Sequence, residues 1–435
     1  MSGAFKSEEP AATIQDFVKV PLYLISLNGV KLFKWTSNEP TTRKQKILFR
    51  MCFCMVSFKI VGMTLFFLFD ELESALDYTA FIIYWGYTLN SLMKGGTLWL
   101  RRHELESIVK GLLARHPKTA KERQAYRVVD YFKKIRIYNM YLAIWDLATA
   151  SFFNLHPITT SVIEYLFRED KQQEFNYRFP FIMWYYYDEE RPITYLITYF
   201  TQSCGSLYMT FLFLGGDLLL ITLVHLVNMH FEYLGKYIEE FQPTGTDEDM
   251  KVLGPVLSYH REILGYAEKI DSAFSISILL NYIGSCVVLC LIGLQLVTGT
   301  EFVSILKFFA FLIATMVHVY FISYFGNNLI DLSLGISEAF YNHPWYNANY
   351  KYMRMLVLPI ARAQRYAHLT ACQFFEISMD SFKSLCTTSY QFFTLLRTSL
   401  EDEEAIPRKS IPLSAYPFFS TISVHVSYFA SSVCN

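Results

Sequence analysis

The feature that most constrains this chain is a series of seven long apolar segments. Each is long enough to cross the hydrocarbon layer of a membrane as a helix, which takes about 20 apolar residues. Of the 435 residues, 53% are hydrophobic and only 18% are charged, whereas about a quarter are charged in soluble domains. We therefore predict an all-α fold, a polytopic membrane protein with seven transmembrane helices. The predicted spans are 47–69, 76–99, 137–160, 193–223, 273–298, 303–326 and 379–399.

The distribution of Lys and Arg predicts the orientation, because these residues accumulate on the cytoplasmic side. Both the segment before the first span and the connection after the second are rich in them, whereas residues 70–77 carry four acids and no base. We therefore expect a cytoplasmic N-terminus and, after seven spans, an extracellular C-terminus. A G-protein-coupled receptor has the opposite orientation, so no G protein is expected as a partner.

Two stretches predict helices outside the membrane. The fourth span continues without a breaker towards Phe241, and the connection 235–271 has apolar residues at helical spacing at Ile263, Leu264, Ala267 and Ile270. Residues 330–378 are too polar to span, and they predict a cytoplasmic helical platform where subunits could pack. Aromatic residues there suit an interface, although packing within the chain is an equal alternative.

No catalytic constellation is present in the sequence. The ten histidines lack the spacing of a metal-binding helix, and no Gly-rich phosphate loop occurs. The net charge is −1, which gives no indication of a nucleic-acid partner. We expect no enzyme activity, no metal and no cofactor.

Ionisable residues within the predicted spans are costly in lipid and therefore informative. Lys59 lies near the middle of the first span and Asp146 near the middle of the third. We hypothesise that they pair or face one hydrated cavity, unless the span boundaries are shifted. Lys94 and Asp217 lie near the inner ends of their spans, where Lys94 could reach the membrane surface.

The second, third, fourth and sixth spans are rich in aromatic residues. Such residues could line a pocket for a small apolar ligand, or they could pack helices and form interfacial belts. They include Tyr78, Phe81, Tyr84, Trp85, Tyr87, Tyr141, Trp145, Phe152, Phe153, Tyr195, Tyr199, Tyr208, Phe308, Phe309 and Phe311.

The last span and the residue before it place several hydroxyl side chains on an otherwise apolar helix, among them Ser378, Ser381, Ser384, Thr387, Thr388, Ser389 and Thr394. This composition suits a pore, with hydroxyls towards water and Phe or Leu towards neighbours. An apolar constriction at Leu395 or Leu396 could close such a pore by excluding water. The alternative is a buried helix whose hydroxyls bond back to its own backbone.

Several segments resemble insect odorant receptors, in order and spacing along nearly the whole chain. They are "VKVPLYLISLNGVKLFKW" (18–35), "RFPFIMWYYYDEERPITYLITYFTQ" (178–202), "GGDLLLITLVHLVNMHFEYL" (215–234), "HREILGYAEKIDSAFS" (260–275), "SYFGNNLIDLS" (323–333), "AFYNHPWY" (339–346), "RAQRYAHLTACQFF" (362–375) and "SYQFFTLLR" (389–397). The short connection 235–271 resembles an odour-tuned subunit rather than a co-receptor, which has a long insertion there.

The resemblance implies a tetrameric, non-selective cation channel in the plasma membrane of an olfactory sensory neuron. This chain would bind a small volatile odorant and act with an odorant co-receptor in a heterotetramer embedded in membrane lipid. The implied organisation is a cytoplasmic N-terminal segment (1–46), spans one to six with cytoplasmic helix extensions (47–329), cytoplasmic anchor helices (330–378), a pore-lining seventh helix (379–400) and an atypical tail (401–435).

The resemblance also proposes site residues. Candidates for the ligand pocket are Phe81, Tyr84, Trp85, Tyr141, Trp145, Tyr199 and Phe309. Candidates for the pore are Thr387, Tyr390, Thr394, Leu395 and Arg397. Candidates for the subunit anchor are Trp345, Tyr346, Arg362 and Gln364.

Three features depart from the family pattern. Tyr366 stands where proline is frequent and Cys372 where glycine is common, which puts the local geometry in question. Family members usually end soon after the pore helix, so we expect residues 401–435 to be either an outside tail or the product of a mistaken gene model.

Two other functions remain as alternatives. A gustatory receptor shares the topology, but its usual Gln-Phe after the last-span Thr-Tyr is absent behind Ser389-Tyr390. A secondary transporter would show repeated halves with broken helices, and no repeat is visible.

Overall fold

The computed structural model describes residues 13–33, 42–69, 75–167, 175–188, 191–299 and 302–404. These residues form eleven α-helices and one short 3₁₀ turn at Trp345–Asn347. The helices are α1 (Ile14–Ser26), α2 (Arg43–Phe69), α3 (Ala75–Leu100), α4 (Arg102–Arg115), α5 (Ala120–Ala125), α6 (Val128–Phe167), α7 (Pro192–Glu240), α8 (Glu248–Thr298), α9 (Phe302–Asn342), α10 (Tyr350–Ala363) and α11 (Met379–Glu404). The expected tail lies almost entirely outside the described residues.

Each of the seven predicted spans falls within one helix: α2, α3, α6, α7, α8, α9 and α11. Among the described helices, α2, α7, α8 and α9 are by themselves long and apolar enough to cross a membrane. The other three carry more polar side chains, which pack against neighbouring helices or stay exposed. Helix α7 is central, because 89% of its most apolar window is buried, against 22% in α2.

Four helices are about twice as long as a membrane crossing or longer. Helices α6, α7, α8 and α9 contain 40, 49, 51 and 41 residues, whereas about 20 residues cross the hydrocarbon layer. The predicted apolar face of the α8 extension is buried, with Ile263, Leu264, Ala267 and Ile270 all at most 4% exposed. These extensions form one continuous core with the spans.

Histidines in these extensions belong to the core. Burial lowers the pKa of His230 to about 3 and that of His260 to about 4. Both imidazoles are therefore neutral near pH 7. His230 bonds through Nδ1 to the Tyr259 hydroxyl at 2.6 Å, and His260 packs against the Phe231 ring.

The N-terminal segment contains a helix that the sequence analysis did not predict. Helix α1 is amphipathic and buries Phe17, Val18 and Ile25. It lies against α7 so closely that a Cβ atom on Gly215 would be 2.6 Å from Ile25 Cγ1. This contact secures the N-terminal segment to the central helix.

The stretch 364–378 differs from the predicted helical platform. The platform is helical only as far as Ala363, and the chain then turns back through a bridge between Thr370 and Glu376. Asp271 on α8 fixes this turn by accepting hydrogen bonds from the Thr370 amide and hydroxyl at 2.5 and 3.0 Å. The turn reverses the chain so that it enters α11.

Cys372 occupies a backbone conformation that favours glycine. Its φ is 51°, a left-handed geometry that costs other residues about 1–2 kcal/mol. The Cys372 amide donates to Ser275 Oγ on α8 at 2.7 Å, and glycine keeps that group.

Cys372→Gly is therefore expected to stabilise the protein by up to about 1 kcal/mol, less the entropy lost by glycine on folding. The melting temperature of the purified protein in detergent measures this change. Cys386→Gly, inside helix α11, is the control and should lower the melting temperature. Equal destabilisation by both substitutions would contradict the strain at Cys372.

Candidate functional site

A cavity of about 100 Å³ lies where α3, α6, α7, α8 and α9 converge. The extended segment 175–188 closes it on one side through Phe181. Six aromatic rings line the cavity: Tyr84, Tyr87, Phe153, Phe181, Phe213 and Phe311. Several meet edge to face, as Tyr84 does with Phe153 at 5.8 Å and with Phe181 at 5.6 Å. This space is apolar, sheltered and within the predicted spans, so it suits a small organic ligand.

Of the seven predicted pocket residues, Tyr84 is in the cavity wall. Phe81 is buried beside it, stacked on Phe67, and Trp85 is half-buried against the same cluster. The face of α3 that meets the cavity includes Tyr84, Tyr87 and Asn90.

The other predicted pocket residues lie away from the cavity wall. Tyr199 is buried, and its hydroxyl donates to the Asn154 carbonyl oxygen. Tyr141 and Phe309 are 48% and 49% exposed on the outside of the bundle, and Trp145 stacks on Tyr141. Their roles in ligand binding stay predictions.

One side of the cavity is a buried network of charged side chains. Lys94 Nζ donates to both oxygens of Asp217 at 2.7 and 2.8 Å. The His318 ring lies between two carboxylates, with Nδ1 3.2 Å from Asp217 Oδ2 and Nε2 2.5 Å from Asp146 Oδ2. All four residues are at most 8% exposed. The network joins α3, α6, α7 and α9 at one point.

The hypothesis that Lys59 pairs with Asp146 is wrong. Asp146 bonds to His318 instead, and the Lys59 ammonium lies 3.4 Å from the centre of the Phe181 ring. Lys94 does not reach the membrane surface either, because it is 1% exposed and held by Asp217. Sequence analysis overlooked His318, although its position between apolar residues of the sixth span was a signal.

Helix α11 presents one exposed stripe. Thr387, Tyr390, Thr394 and Arg397 recur at helical spacing and are exposed, and Leu395 beside them is 42% exposed. The Thr387 and Thr394 hydroxyls donate to carbonyl oxygens of their own helix at 3.0 and 2.8 Å. These hydroxyls therefore bond back to their own helix, as in the alternative to a pore, but they lie on an exposed face of α11 and not on a buried one.

Helix α8 connects the cavity to α11. Gly284, Ser285 and Val288 face the cavity. One turn further along α8, a Cβ atom on Gly293 would lie 3.0 Å from the Phe393 ring of α11. At the other end, the Tyr282 hydroxyl is 2.6 Å from Ser323 Oγ and 3.4 Å from Ser381 Oγ. Helix α8 therefore contacts both the cavity and α11.

Comparison with known proteins identifies the family. Residues 71–390 match the family model described as 7tm Odorant receptor. The chain belongs to this family. It is 27% identical to Odorant receptor 67c of Drosophila melanogaster over 90% of this chain and 98% of that protein. It is 30% identical to Odorant receptor 85c of the same fly, over 74% of this chain and 83% of the relative.

The fold of this odorant receptor is also that of a solved relative. It is similar to the insect olfactory receptor OR5 from Machilis hrabei, solved in complex with eugenol, with a TM-score of 0.73 and 13% identity. The match covers 89% of this chain and 98% of that one. The predicted seven-helix membrane fold is therefore confirmed, and the family is one of receptors, not enzymes.

The family match is to odorant receptors, which sets aside the gustatory receptor and the transporter.

Among the predicted anchor residues of the receptor, Tyr346 is 67% exposed, whereas Trp345 packs against the core and donates through Nε1 to the Tyr341 carbonyl. Arg362 and Gln364 are exposed at the end of α10, and Arg362 lies 3.5 Å from Glu268.

Proposed function

We propose that this receptor is an odour-tuned subunit that binds a small volatile molecule in the cavity between α3, α6, α7, α8 and α9. With a co-receptor subunit it gates a non-selective cation channel in the plasma membrane of an olfactory sensory neuron. Its N-terminus is cytoplasmic, in keeping with the Lys and Arg bias. The observation that carries the proposal is the sheltered aromatic cavity, one wall of which is the helix that contacts α11.

The ligand part of the proposal rests on the shape and chemistry of the cavity. Ligand pockets are concave and mostly apolar, with a few placed polar groups, and this cavity has six aromatic rings beside a polar side. The solved relative in complex with eugenol supports a small organic molecule as ligand.

The channel part of the proposal rests on α11. Its exposed stripe of Thr387, Tyr390, Thr394 and Arg397 is where a pore or a neighbouring subunit would lie. A ligand that spreads the cavity wall would displace α8, and close packing of Gly293 on Phe393 would pass that displacement to α11. Packed cores respond in such discrete steps rather than by gradual deformation.

The co-receptor part rests on an exposed apolar surface around α10. Tyr341, Tyr346, Tyr350, Val357 and Leu358 are each at least 65% exposed. Exposed clusters of this kind mark interaction surfaces. We propose that another subunit of the heterotetramer covers this surface.

The proposal is tested by recording whole-cell currents from cells that express the receptor with and without an insect co-receptor, against a broad panel of volatile molecules. We expect ligand-evoked cation current only when both proteins are present. Receptor at the cell surface with no current to any volatile in either condition would overturn the proposal.

Two glycines of α3 provide matched variants that test the cavity. Gly86 lies in its wall, whereas Gly96 is exposed, and a Cβ atom on either would meet nothing within 4 Å. Gly86→Leu is expected to reduce sensitivity to the ligand at least tenfold, because leucine occupies a large part of the cavity. Gly96→Leu should leave it unchanged. Equal responses from both variants would show that the ligand binds elsewhere.

A further inference from the structure

Most hydroxyl groups of the cavity wall already donate their proton to another atom of the protein. Thr149, Thr210 and Thr315 each donate to a carbonyl oxygen of their own helix, at 2.9, 3.0 and 3.0 Å. Tyr87 donates to Thr210 at 3.2 Å, and Ser206 donates to Asn154 Oδ1 at 2.9 Å. These hydroxyl oxygens can therefore accept a hydrogen bond from a ligand, but they have no proton left to donate.

The side-chain amides of the wall likewise use their donors within the protein. Asn154 uses both amide protons, towards the Ala150 carbonyl at 2.8 Å and Ser206 Oγ at 2.6 Å. Asn90 donates to Asn281 at 3.3 Å, while its own Oδ1 is buried with no hydrogen-bond partner among the described residues. The free group is again an acceptor.

The strongest acceptor in the wall is the Asp146 carboxylate. Carboxylates only accept hydrogen bonds, so the placement of His318 between Asp146 and Asp217 requires both ring nitrogens to be protonated when both acids are ionised. Asp146 lines the cavity, and His318 bonds to one of its two carboxylate oxygens, Oδ2; a carboxylate accepts at both oxygens. Since both His318 nitrogens are engaged, that ring offers the ligand no further proton.

When both acids are ionised, the charges of the network cancel. Asp146 and Asp217 contribute two negative charges, while Lys94 and the protonated His318 contribute two positive charges. A neutral ligand keeps this balance, whereas an ammonium ligand would add an uncompensated charge deep in the membrane. Of the remaining groups, the hydroxyls of Tyr84 and Ser285 can either donate or accept.

We infer that the cavity selects small, neutral molecules that carry a hydroxyl group, alcohols or phenols, by accepting a hydrogen bond on Asp146. The aromatic rings hold the apolar body of the ligand, and Asp146 is the specificity-determining residue. This inference rests on the proposed function, since it names the ligand class of the same cavity.

The first test uses the unaltered receptor with its co-receptor and two matched series. One series is benzyl alcohol, benzyl methyl ether, benzylamine and toluene, and the other has the same four groups on a hexyl chain. We expect the alcohol to act at a concentration at least tenfold lower than the ether, the amine or the hydrocarbon, the size of effect usual for a hydrogen bond to a charged group.

The second test is Asp146→Asn, which leaves Asp217 and Lys94 paired and lets His318 become neutral. We expect the preference for alcohol over ether to fall at least tenfold while surface expression is retained. Asp130→Asn removes an exposed carboxylate from the same helix and should leave the preference unchanged. The first test uses the unaltered receptor, so its result stands even if a variant folds poorly.

The outcomes separate the inference from the proposed function. If ethers, esters, ketones or hydrocarbons open the channel as well as or better than matched alcohols, the inference is wrong and the proposed function stands. If Asp146→Asn reaches the surface with its alcohol preference intact, Asp146 is not the selecting group. If no volatile evokes current, the proposed function fails and the inference falls with it.

Discussion

Replacing Lys94 with methionine is expected to destabilise the folded receptor by about 3–5 kcal/mol, because it leaves two buried carboxylates, Asp146 and Asp217, with only His318 to balance them. The Lys94 and Asp217 side chains are 1% and 5% exposed and lie 2.7 Å apart. They also lie inside the predicted spans, where water cannot solvate the remaining carboxylate. The fraction of receptor at the cell surface and its melting temperature in detergent measure the effect.

A second substitution distinguishes lost charge balance from lost packing. The double variant Lys94→Met with Asp217→Asn removes one charge of each sign and keeps an amide oxygen facing His318 Nδ1. It leaves the neutral pair of Asp146 and His318. We expect it to recover much of the surface expression that the single variant loses, because removing both partners of a buried pair costs less than removing one.

An exposed ion pair provides the control. Lys251 lies 2.6 Å from Glu248, but their side chains are 72% and 70% exposed. Lys251→Met should change stability by less than about 1 kcal/mol, as is usual for surface pairs. A loss at Lys94 no larger than at Lys251 would contradict the buried network.

Gly326→Val is expected to destabilise the receptor by about 1–3 kcal/mol and to abolish ligand-evoked current. A Cβ atom on Gly326 of α9 would lie 2.7 Å from the Ile377 carbonyl oxygen and 3.0 Å from Ile377 Cγ2. Backbone cannot rotate away as a side chain can, so the turn 364–378 must shift. Ile377 lies two residues before α11, and that helix must shift with it.

Gly335 on the same helix is the matched control, since a Cβ atom there would meet nothing within 4 Å. Gly335→Val should change stability by no more than about 0.5 kcal/mol, and in the stabilising direction, because valine has the better helix propensity. Surface expression and whole-cell current are measured for both variants. Normal currents from Gly326→Val would show that the entry to α11 tolerates displacement.

Much of the fold could be predicted from the sequence, because the membrane leaves few solutions for an apolar segment. Every predicted span falls within a helix. The long continuation of α7 follows from the absence of a breaker, and the helix before the fifth span follows from apolar residues at helical spacing. The resemblance marked Cys372 as unusual, and the structure gives it a φ of 51°, a conformation that glycine tolerates. Amphipathic α1 and the turn 364–378 were missed, because their order depends on α7 and α8.

The candidate site was less predictable. An aromatic residue in a membrane helix faces a cavity, a neighbour or lipid according to a rotation of that helix that composition does not specify. Tyr84 was predicted and lies in the wall, whereas Phe309 is exposed two residues from Phe311, which lines the cavity. A rotation of the helix by one or two residue positions therefore decides whether a ring lines the cavity or is exposed.

What the sequence by itself determined is therefore the class of protein, its seven membrane helices and the presence of charges within them. The energy of desolvating a long apolar segment depends only on local composition, so it is visible along the chain. Only the tertiary structure decided which charges meet. Lys94, Asp146, Asp217 and His318 come from four different helices, and their pairing depends on how those helices pack, which no local pattern records.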